Sequence, residues 1–444
     1  MATRVIIVRH GQSSYNAEKR IQGRSDESVI TDQGSADAKI VGETLSLIKF
    51  KTIYCSPLQR AKKTAEIIAT HLKNPATLQP VEKLLEIDLP LWEKLTKEEV
   101  RENFSEDYRC WKERPQEFKM VLGEREHFPV LSLYEQAKEF WQEILPKNEG
   151  ETILIVAHNG INRCLIMSAI GIPTAKYHAI QQSNCCINVL NFTGGWGEAV
   201  QLESLNQTAH LGIPLPPPRP PESKLRLLLI RHGETAWNRE GRFQGIRDIP
   251  LNENGRKQAG KAAEFLREVQ IDFGITSPML RPQETAEIIL AEHSGVKLET
   301  RELLTEICHG LWEGKLETEI ETAFPGLLQQ WKEAPETVQM PEGENLQQVW
   351  ERAIACWEEI VSTYSNAEKP LTGIVCAHDA INKVILCYLL GLKPDNFWNI
   401  KQGNGAVSVI DYPQGKQGTQ VLQAINITTH LSGGILDQTA AGAL

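Results

Sequence analysis

The sequence lacks several features that would assign it to a specialised class of protein. Its nine cysteines include no Cys-x-x-Cys pair, and most lie inside apolar runs, which argues against a zinc site or disulfides and indicates reduced core thiols. No apolar run reaches the ~18 residues of a membrane-spanning helix, and the N-terminus has no signal-peptide pattern. Basic residues are not in excess, since the formal net charge is −10. We therefore expect a soluble, cytoplasmic protein without a nucleic-acid or membrane partner, in which any basic site is local.

The sequence does contain one pattern twice. Residues 8–16 read VRHGQSSYN, and residues 230–238 read IRHGETAWN. Further matches recur at a nearly constant offset in numbering, and they pair His10 with His232, Arg60 with Arg281, Glu86 with Glu306, Trp92 with Trp312, and His158 with His378. The spacing predicts a duplicated domain of a little over 200 residues rather than a short-period repeat.

A proline-rich segment separates the two copies. Residues 212–224 read GIPLPPPRPPESK and contain six prolines. This composition favours a semi-rigid polyproline spacer, so we predict domains at 1–212 and 225–444 joined by a linker at 213–224. The alternative is a joint that docks on one of the domains through Ile213 and Leu215.

Within each copy, β-branched runs alternate with amphipathic stretches. In the first copy the pattern predicts strands at 4–8, 52–55 and 152–157, and helices at about 33–48, 58–72 and 159–170. This alternation predicts an α/β domain with a mainly parallel sheet flanked by helices. Ligands of such sheets bind beyond the carboxyl ends of the strands, where His10, Ser56 and His158 are all expected.

Two histidines, two arginines and one carboxylate would meet at this edge of the first sheet, namely His10, His158, Arg9, Arg60 and Glu86. Guanidinium groups match phosphate oxygens, and their charge would keep His10 neutral and nucleophilic. Glu86 would protonate the departing alkoxide, and water would then release phosphate from a phosphohistidine. The pattern is typical of a phosphate-monoester site, and the second copy repeats it with His232, His378, Arg231, Arg281 and Glu306.

These residues also have structural interpretations. A histidine at a strand end is often a hydrogen-bonding residue, Arg60 could be an exposed helix cation, and Glu86 could be surface charge. A metal centre built from the two histidines and an acid is a further alternative, which the adjacent arginines disfavour. We expect core packing of Trp92, Trp111, Trp312 and Trp331, and a structural role for the Asn-x-Thr-x-His motif repeated at 206–210 and 426–430.

These motifs resemble those of the histidine phosphatase superfamily, the phosphoglycerate mutase-like enzymes, twice over nearly the whole chain. The family's Arg-His-Gly motif is matched at 9–11 and 231–233, and its Ser-Pro-Leu-x-Arg motif by the segments that end at Arg60 and Arg281. The resemblance implies nucleophilic His10 and His232, proton-donating Glu86 and Glu306, and neither metal nor organic cofactor. It also implies phosphate contacts from Asn16 and Asn238, and substrate contacts from Gln22, Gly23, Gln244 and Gly245.

The interval between the acid and the second histidine is short and has the same length in both copies, from Glu86 to His158 and from Glu306 to His378. In this respect the chain resembles the shorter phosphatase members rather than the mutases. We therefore expect a phosphatase that acts on a small, anionic sugar phosphate or sugar-acid phosphate. The tandem arrangement and residues 20–31 are similar to plastid phosphatases of 2-carboxy-D-arabinitol 1-phosphate.

Two other functions stay open, a phosphoglycerate mutase and a phosphate-sensing module with one inactive domain. We expect specificity to lie in residues 88–135 and 308–345, where the copies differ. The second copy also has Asp379 where the first has Asn159, which places a possible carboxylate near an anion site.

Overall fold

The computed structural model describes residues 2–218, 223–432 and 434–436. It divides into two compact units, Met1–Leu215 and Pro216–Leu444. Residues 219–222 of the predicted linker lie outside the described residues, and the spacer remains a prediction. No helix in the described ranges combines the length and apolar character needed to cross a bilayer.

The first unit contains a mixed sheet of six described strands, in the order β3–β2–β6–β1–β7–β8. The first four strands in this order are parallel, and β7 and β8 are antiparallel additions at one edge. A separate ribbon pairs β4 with β5. The strands are β1 (Thr3–Arg9), β2 (Thr52–Cys55), β3 (Thr77–Pro80), β4 (Met120–Leu122), β5 (Arg125–His127), β6 (Thr152–Ala157), β7 (Ile187–Phe192) and β8 (Val200–Gln207).

Helices accompany this sheet between successive strands. They are α1 (Ser14–Ala17), α2 (Asp32–Thr44), α3 (Gln59–His71), α4 (Lys97–Asn103), α5 (Ser105–Glu113), α6 (Pro129–Ile144) and α7 (Asn159–Ile170). Helices α2 and α3 pack on each other, as do α6 and α7.

The second unit repeats this arrangement, and its described strands follow the order β11–β10–β12–β9–β13–β14, again with four parallel strands and two antiparallel additions. The strands are β9 (Leu225–Arg231), β10 (Phe273–Thr276), β11 (Leu298–Thr300), β12 (Leu371–Ala377), β13 (Val407–Tyr412) and β14 (Val421–Ile427). The helices are α8 (Ala236–Glu240), α9 (Glu253–Leu266), α10 (Leu280–Leu290), α11 (Glu317–Ala323), α12 (Leu327–Glu333), α13 (Leu346–Tyr364), α14 (Asp379–Leu390) and α15 (Thr429–Ser432). The predicted pair of α/β domains with mainly parallel sheets is confirmed.

The central strands are apolar because both faces of the sheet are covered. The side chains of residues 5–8 in β1 are fully buried, as are those of 153–157 in β6. Such continuous apolar runs are typical of parallel strands between two layers of helices.

Strand register determines where the residues that follow the strands lie. Arg9 pairs with Ala157, so His10 and His158 leave the sheet side by side. Cys55 pairs with Val156, which brings Ser56 to the same edge.

The first long helix ends earlier than the sequence predicts. The periodicity predicts an end near Ile48, whereas α2 ends at Thr44. The carbonyl oxygen of Ser46 accepts a hydrogen bond from Lys73 N, 3.0 Å away, just after α3. This contact between distant segments draws the chain out of the helix, and helical periodicity does not encode it.

Candidate active site

His10 is buried at the end of β1 with its protonation pattern fixed by the backbone. Its Nδ1 lies 2.7 Å from the carbonyl oxygen of Gly11. A carbonyl only accepts, so Nδ1 carries the hydrogen and Nε2 of the neutral ring keeps its lone pair. Burial, followed by the charges of Arg9 and Arg60, holds the pKa of His10 well below its usual value. The residue is therefore a neutral imidazole with a nucleophilic nitrogen.

His158 stands beside it at the end of β6. The two ring centroids are 5.1 Å apart, with their planes inclined at 63°. Nε2 of His158 lies 2.7 Å from Ser56 Oγ, which connects the exits of β6 and β2. Burial, then Arg60, His10 and Arg9, lowers the pKa of His158 as well.

Arg60 is fully buried near the start of α3, so its interpretation as an exposed helix cation is wrong. Its Nη1 donates to Ser25 O at 2.8 Å, and its Nη2 donates to Gly23 O at 3.0 Å. In the described part of the chain, its buried Nε has no hydrogen-bond partner. Two carbonyls thus hold the guanidinium in one orientation and leave Nε–H available to a ligand.

Gly23 supports Arg60 through its backbone. Its φ of 52° lies in the left-handed region, and an added Cβ would collide with the Glu93 carboxylate. Glycine is therefore the residue this turn requires. The predicted substrate contact of Gly23 stays a prediction, whereas its contact with Arg60 is direct.

The Glu86 carboxylate is held at the N-terminus of α7. Gly160 N donates to Oε2 at 3.0 Å, while Ile161 N and Ile87 N donate to Oε1 at 3.1 and 2.8 Å. The residue is 8% exposed, so its interpretation as surface charge is wrong. Backbone donors fix its position at the edge of a cavity in the first unit.

Asn16 and Gln22 both have their oxygens engaged by Ser13. The hydroxyl of Ser13 donates to Gln22 Oε1 at 2.8 Å, and its backbone N–H donates to Asn16 Oδ1 at 3.3 Å. Asn184 Nδ2 adds a bond of 3.1 Å to Asn16 Oδ1 and one of 2.9 Å to His10 O. An amide whose oxygen is occupied offers its NH₂ group, which suits an anionic ligand.

Five of the predicted site residues line a cavity of about 290 Å³ in the first unit, namely Arg9, Asn16, Gln22, Gly23 and Glu86. Trp92 reaches this cavity but is 1% exposed and stacks on Phe118 with centroids 4.7 Å apart, as expected of a core residue. Trp111 is only half-buried and forms part of the cavity wall, so core packing does not describe it fully.

The second unit reproduces the arrangement. His232 Nδ1 lies 2.7 Å from Gly233 O, and its ring centroid is 5.3 Å from that of His378. Arg281 Nε donates to His232 Nε2 at 3.2 Å, which marks Nε2 as an unprotonated acceptor. The pKa of His232 is lowered by burial and then by Arg281 and Arg231. Thr235, Asn238, Gln244, Gly245 and Asn404 repeat the contacts of Ser13, Asn16, Gln22, Gly23 and Asn184.

One substitution distinguishes the second site. Asp379 is buried, with Oδ1 3.5 Å from Arg231 Nη1 and Oδ2 2.9 Å from Lys383 Nζ. Burial raises the pKa of Glu306, Arg281 opposes that rise, and the charge of Asp379 adds to it. The carboxylate noted in the sequence thus lies beside an arginine of the predicted phosphate site.

Sequence reasoning assigned no role to Asn184 and Asn404, or to Ser56 and Ser277, the partners of the second histidines at 2.7 and 2.9 Å. The signal was present, since the members of each pair are separated by nearly the same offset as the two copies.

The repeated Asn-x-Thr-x-His motif supports Asn184 indirectly. Asn206 Oδ1 accepts from Ser183 N at 2.7 Å, and His210 Nε2 lies 2.9 Å from Cys185 O. The motif therefore holds the loop on which Asn184 lies.

The structure brings the predicted histidines, arginines and glutamates together in each unit, and their catalytic roles remain predictions. A neutral imidazole nitrogen, an oriented guanidinium and a carboxyl group brought together in this way can transfer a phosphoryl group to nitrogen and assist its release.

Comparison with known proteins adds to this geometry. The model of the histidine phosphatase superfamily (branch 1) matches residues 5–205 and 227–427. A 2-carboxy-D-arabinitol-1-phosphatase of Triticum aestivum is 33% identical over 442 residues, covering 97% of this chain and 87% of that protein. Phosphoserine phosphatase 1 of Hydrogenobacter thermophilus is 33% identical over 207 residues, covering 47% of this chain and 94% of that protein. A Yersinia enterocolitica protein named "Probable phosphoglycerate mutase GpmB" is 31% identical over 220 residues, covering 48% of this chain and 98% of that protein.

Proposed function

The chain belongs to the histidine phosphatase superfamily, and we propose that both of its units release inorganic phosphate from small phosphate monoesters through a phosphohistidine. The observation that supports this most directly is the hydrogen bond from Nδ1 of His10 to Gly11 O, repeated between His232 and Gly233. It fixes the tautomer in which Nε2 can attack phosphorus.

In the first step, Nε2 of His10 forms a bond to phosphorus as the ester P–O bond breaks. Arg9 and Arg60 offset the negative charge that spreads over the equatorial oxygens. The leaving oxygen takes a proton from Glu86, which enters this step as the carboxylic acid, because an alkoxide is a poor leaving group.

In the second step, water attacks phosphorus and the N–P bond breaks. Glu86, deprotonated by the first step, accepts a proton from this water, so His10 and Glu86 return to their starting states. Because Glu86 lines a cavity that is partly open to solvent, water can reach the intermediate, which favours hydrolysis over return of the phosphoryl group to a bound alcohol. His232 and Glu306 would act in the same way in the second unit.

The proposed substrates are sugar phosphates and sugar-acid phosphates, with 2-carboxy-D-arabinitol 1-phosphate as the first candidate. Similarity to the Triticum aestivum phosphatase over nearly the whole chain supports this choice. So do the further cations in the wall of the first cavity, which suit a ligand with more than one negative group.

The test measures phosphate release by the full-length protein from 2-carboxy-D-arabinitol 1-phosphate, 3-phosphoglycerate and p-nitrophenyl phosphate. We expect His10→Ala and His232→Ala each to remove part of the activity, and the double variant to remove all of it. Phosphohistidine is sensitive to acid, so wild-type protein is quenched rapidly under conditions that preserve it. Mass spectrometry should then find phosphate on both His10 and His232. Conversion of 3-phosphoglycerate to its isomer without net phosphate release would instead identify a mutase, and full activity of the double variant would overturn the mechanism.

A further inference from the structure

The wall of the first cavity contains two cations in addition to the arginines of the phosphate site. Lys112 comes from α5 and Arg163 from α7, and both line the cavity. Lys112 as a whole is exposed, yet desolvation of its ammonium, followed by the charges of Arg163, Lys97 and Arg101, lowers its pKa to about 8. Cations brought together in this way repel one another, and an anionic ligand would relieve that repulsion.

Arg163 is held in place without a carboxylate partner. Its guanidinium lies over the Tyr177 ring, 5.3 Å from the centroid, and Nη1 is 3.5 Å from His178 Nδ1. Nε2 of His178 lies 2.8 Å from Trp111 O and so carries the hydrogen, which leaves Nδ1 as an acceptor for Arg163. In the described ranges neither Lys112 nor Arg163 forms a salt bridge with a carboxylate, although the charge of Glu86 in the same wall acts on Arg163. The cluster thus presents positive charge to the cavity.

In the second unit, the cations at the equivalent positions are paired with carboxylates. Equivalent positions are those separated by the same number of residues as Glu86 and Glu306. Lys332 corresponds to Lys112, and its Nζ is 2.8 Å from Oε2 of Glu317, which replaces Lys97. Lys383 corresponds to Arg163, and its Nζ is 2.9 Å from Oδ2 of Asp379.

Residues near these two lysines also differ from their counterparts in the first unit, and the difference again removes positive charge. Glu321 replaces Arg101, and the aromatic pair Phe397 and Trp398 replaces Tyr177 and His178. Lys383 Nζ lies 4.4 Å from the Trp398 ring centroid and 5.1 Å from that of Phe397. Each of these charge changes thus lowers the positive potential beside the second phosphate site.

We propose that the two units divide substrates by the charge of the leaving group. The first unit takes phosphate monoesters whose leaving group has a second anionic group, which contacts Lys112 and Arg163, and the second unit takes esters with an uncharged leaving group. This division rests on the proposed phosphatase function. It follows from electrostatic complementarity, since a second anion meets cations without carboxylate partners in one unit and carboxylate-paired cations in the other.

The test compares two esters that differ in one group, 3-phosphoglycerate with its carboxylate and glycerol 3-phosphate with a hydroxymethyl group instead. Phosphate release is measured with full-length His232→Ala, which leaves the first unit active, and full-length His10→Ala, which leaves the second. The His→Asn variants replace these if either alanine variant fails to fold. We expect the ratio of kcat/KM for the acid over the alcohol to be about tenfold or more in the first unit, the effect of one charge-assisted hydrogen bond. In the second unit we expect a ratio near or below one.

Substitutions that change the charge at these positions test whether Lys112 and Glu317 determine the ratio. In the His232→Ala protein, Lys112→Met should reduce the acid-to-alcohol ratio about tenfold, whereas Lys138→Met, at a half-buried lysine paired with Glu135 on α6, should leave it unchanged. In the His10→Ala protein, Glu317→Lys should raise the ratio.

Equal ratios in two active units, or an unchanged ratio in Lys112→Met, would overturn the division and leave the phosphatase function standing. Absence of phosphate release from both esters and from p-nitrophenyl phosphate would overturn the proposed function itself, and the division with it.

Discussion

At the scale of single residues, the site depends on which nitrogen of a histidine holds the proton. The carbonyl oxygens of Gly11 and Gly233 fix that choice for His10 and His232, because each accepts from Nδ1 at 2.7 Å. Burial and the neighbouring arginines then lower the pKa of both rings, so the nucleophilic form persists well below neutral pH. The tautomer and the charge state have separate causes, and both favour a nucleophilic Nε2 on each ring.

Arg60→Lys tests the oriented guanidinium. Lysine keeps the charge but loses the fork that Gly23 O and Ser25 O orient, so its ammonium cannot match the phosphate oxygens in the same way. We expect kcat/KM for p-nitrophenyl phosphate, measured in His232→Ala protein, to fall roughly 10²- to 10³-fold.

Arg109→Lys is the matched control, because Arg109 is exposed on α5 and pairs only with Glu106 among the described residues. Its activity should be unaltered. Comparable activity of Arg60→Lys and Arg109→Lys, in proteins with the same unfolding temperature, would contradict the role given to Arg60.

At the scale of elements, equivalent loops of the two units bury different side chains. His309 precedes the 3₁₀ turn Gly310–Trp312 and is 1% exposed, with its ring centroid 5.1 Å from that of Phe243 and 6.4 Å from that of Trp331. Burial lowers the pKa of His309 to about 3. The equivalent residue of the first unit is Leu89, which cannot titrate.

Burial of His309 predicts a contribution to acid sensitivity in the second unit that Leu89 cannot make in the first. Between the ordinary histidine pKa of about 6.5 and the folded value, the unfolded chain binds a proton that the folded chain refuses, so stability falls as pH falls. We expect His309→Leu to reduce the loss of unfolding free energy between pH 7 and pH 5 by ~2 kcal/mol, as measured by urea unfolding. Between pH 7 and pH 8 the variant and the wild type should change equally, because the ring is neutral in both states. Parallel stability curves below pH 6 would show that His309 does not titrate in this way.

At the scale of the whole molecule, the chain keeps the phosphate-binding residues in both copies and changes the residues around them. The histidines, arginines, glutamates and supporting asparagines have counterparts, while Lys97, Arg101 and Asn159 are each replaced by an acid. This pattern is the basis of our proposal that the two units perform one reaction on different ligands.

The retained residues predict how the intact protein responds to metal removal. Arginines supply the positive charge that the transition state needs, so phosphate release should be unaffected by EDTA. Orthovanadate should inhibit both units, because it adopts the five-coordinate geometry of phosphorus in transfer. Loss of phosphate release in EDTA with recovery on adding Mg²⁺ would contradict the mechanism.

The sequence by itself determined the duplication, the α/β class and the residues at the strand ends. These features are local or periodic: β1, β2 and β6 are short β-branched runs, and His10, Ser56 and His158 follow them directly. The ends of β2, β6 and α7 agree with their predicted positions to the residue, because apolar pattern and flanking polar residues mark them clearly.

Only the tertiary structure decided what surrounds those residues. The carboxylate of Glu86 reaches the amides of α7 across 74 residues of chain, and Lys112 meets Arg163 only because α5 and α7 border one cavity. In the second unit, the pairing of Lys332 with Glu317 depends on how α11 and α12 pack. The physical reason is that charge balance and carbonyl orientation arise from contacts between segments distant in sequence, which no local pattern encodes.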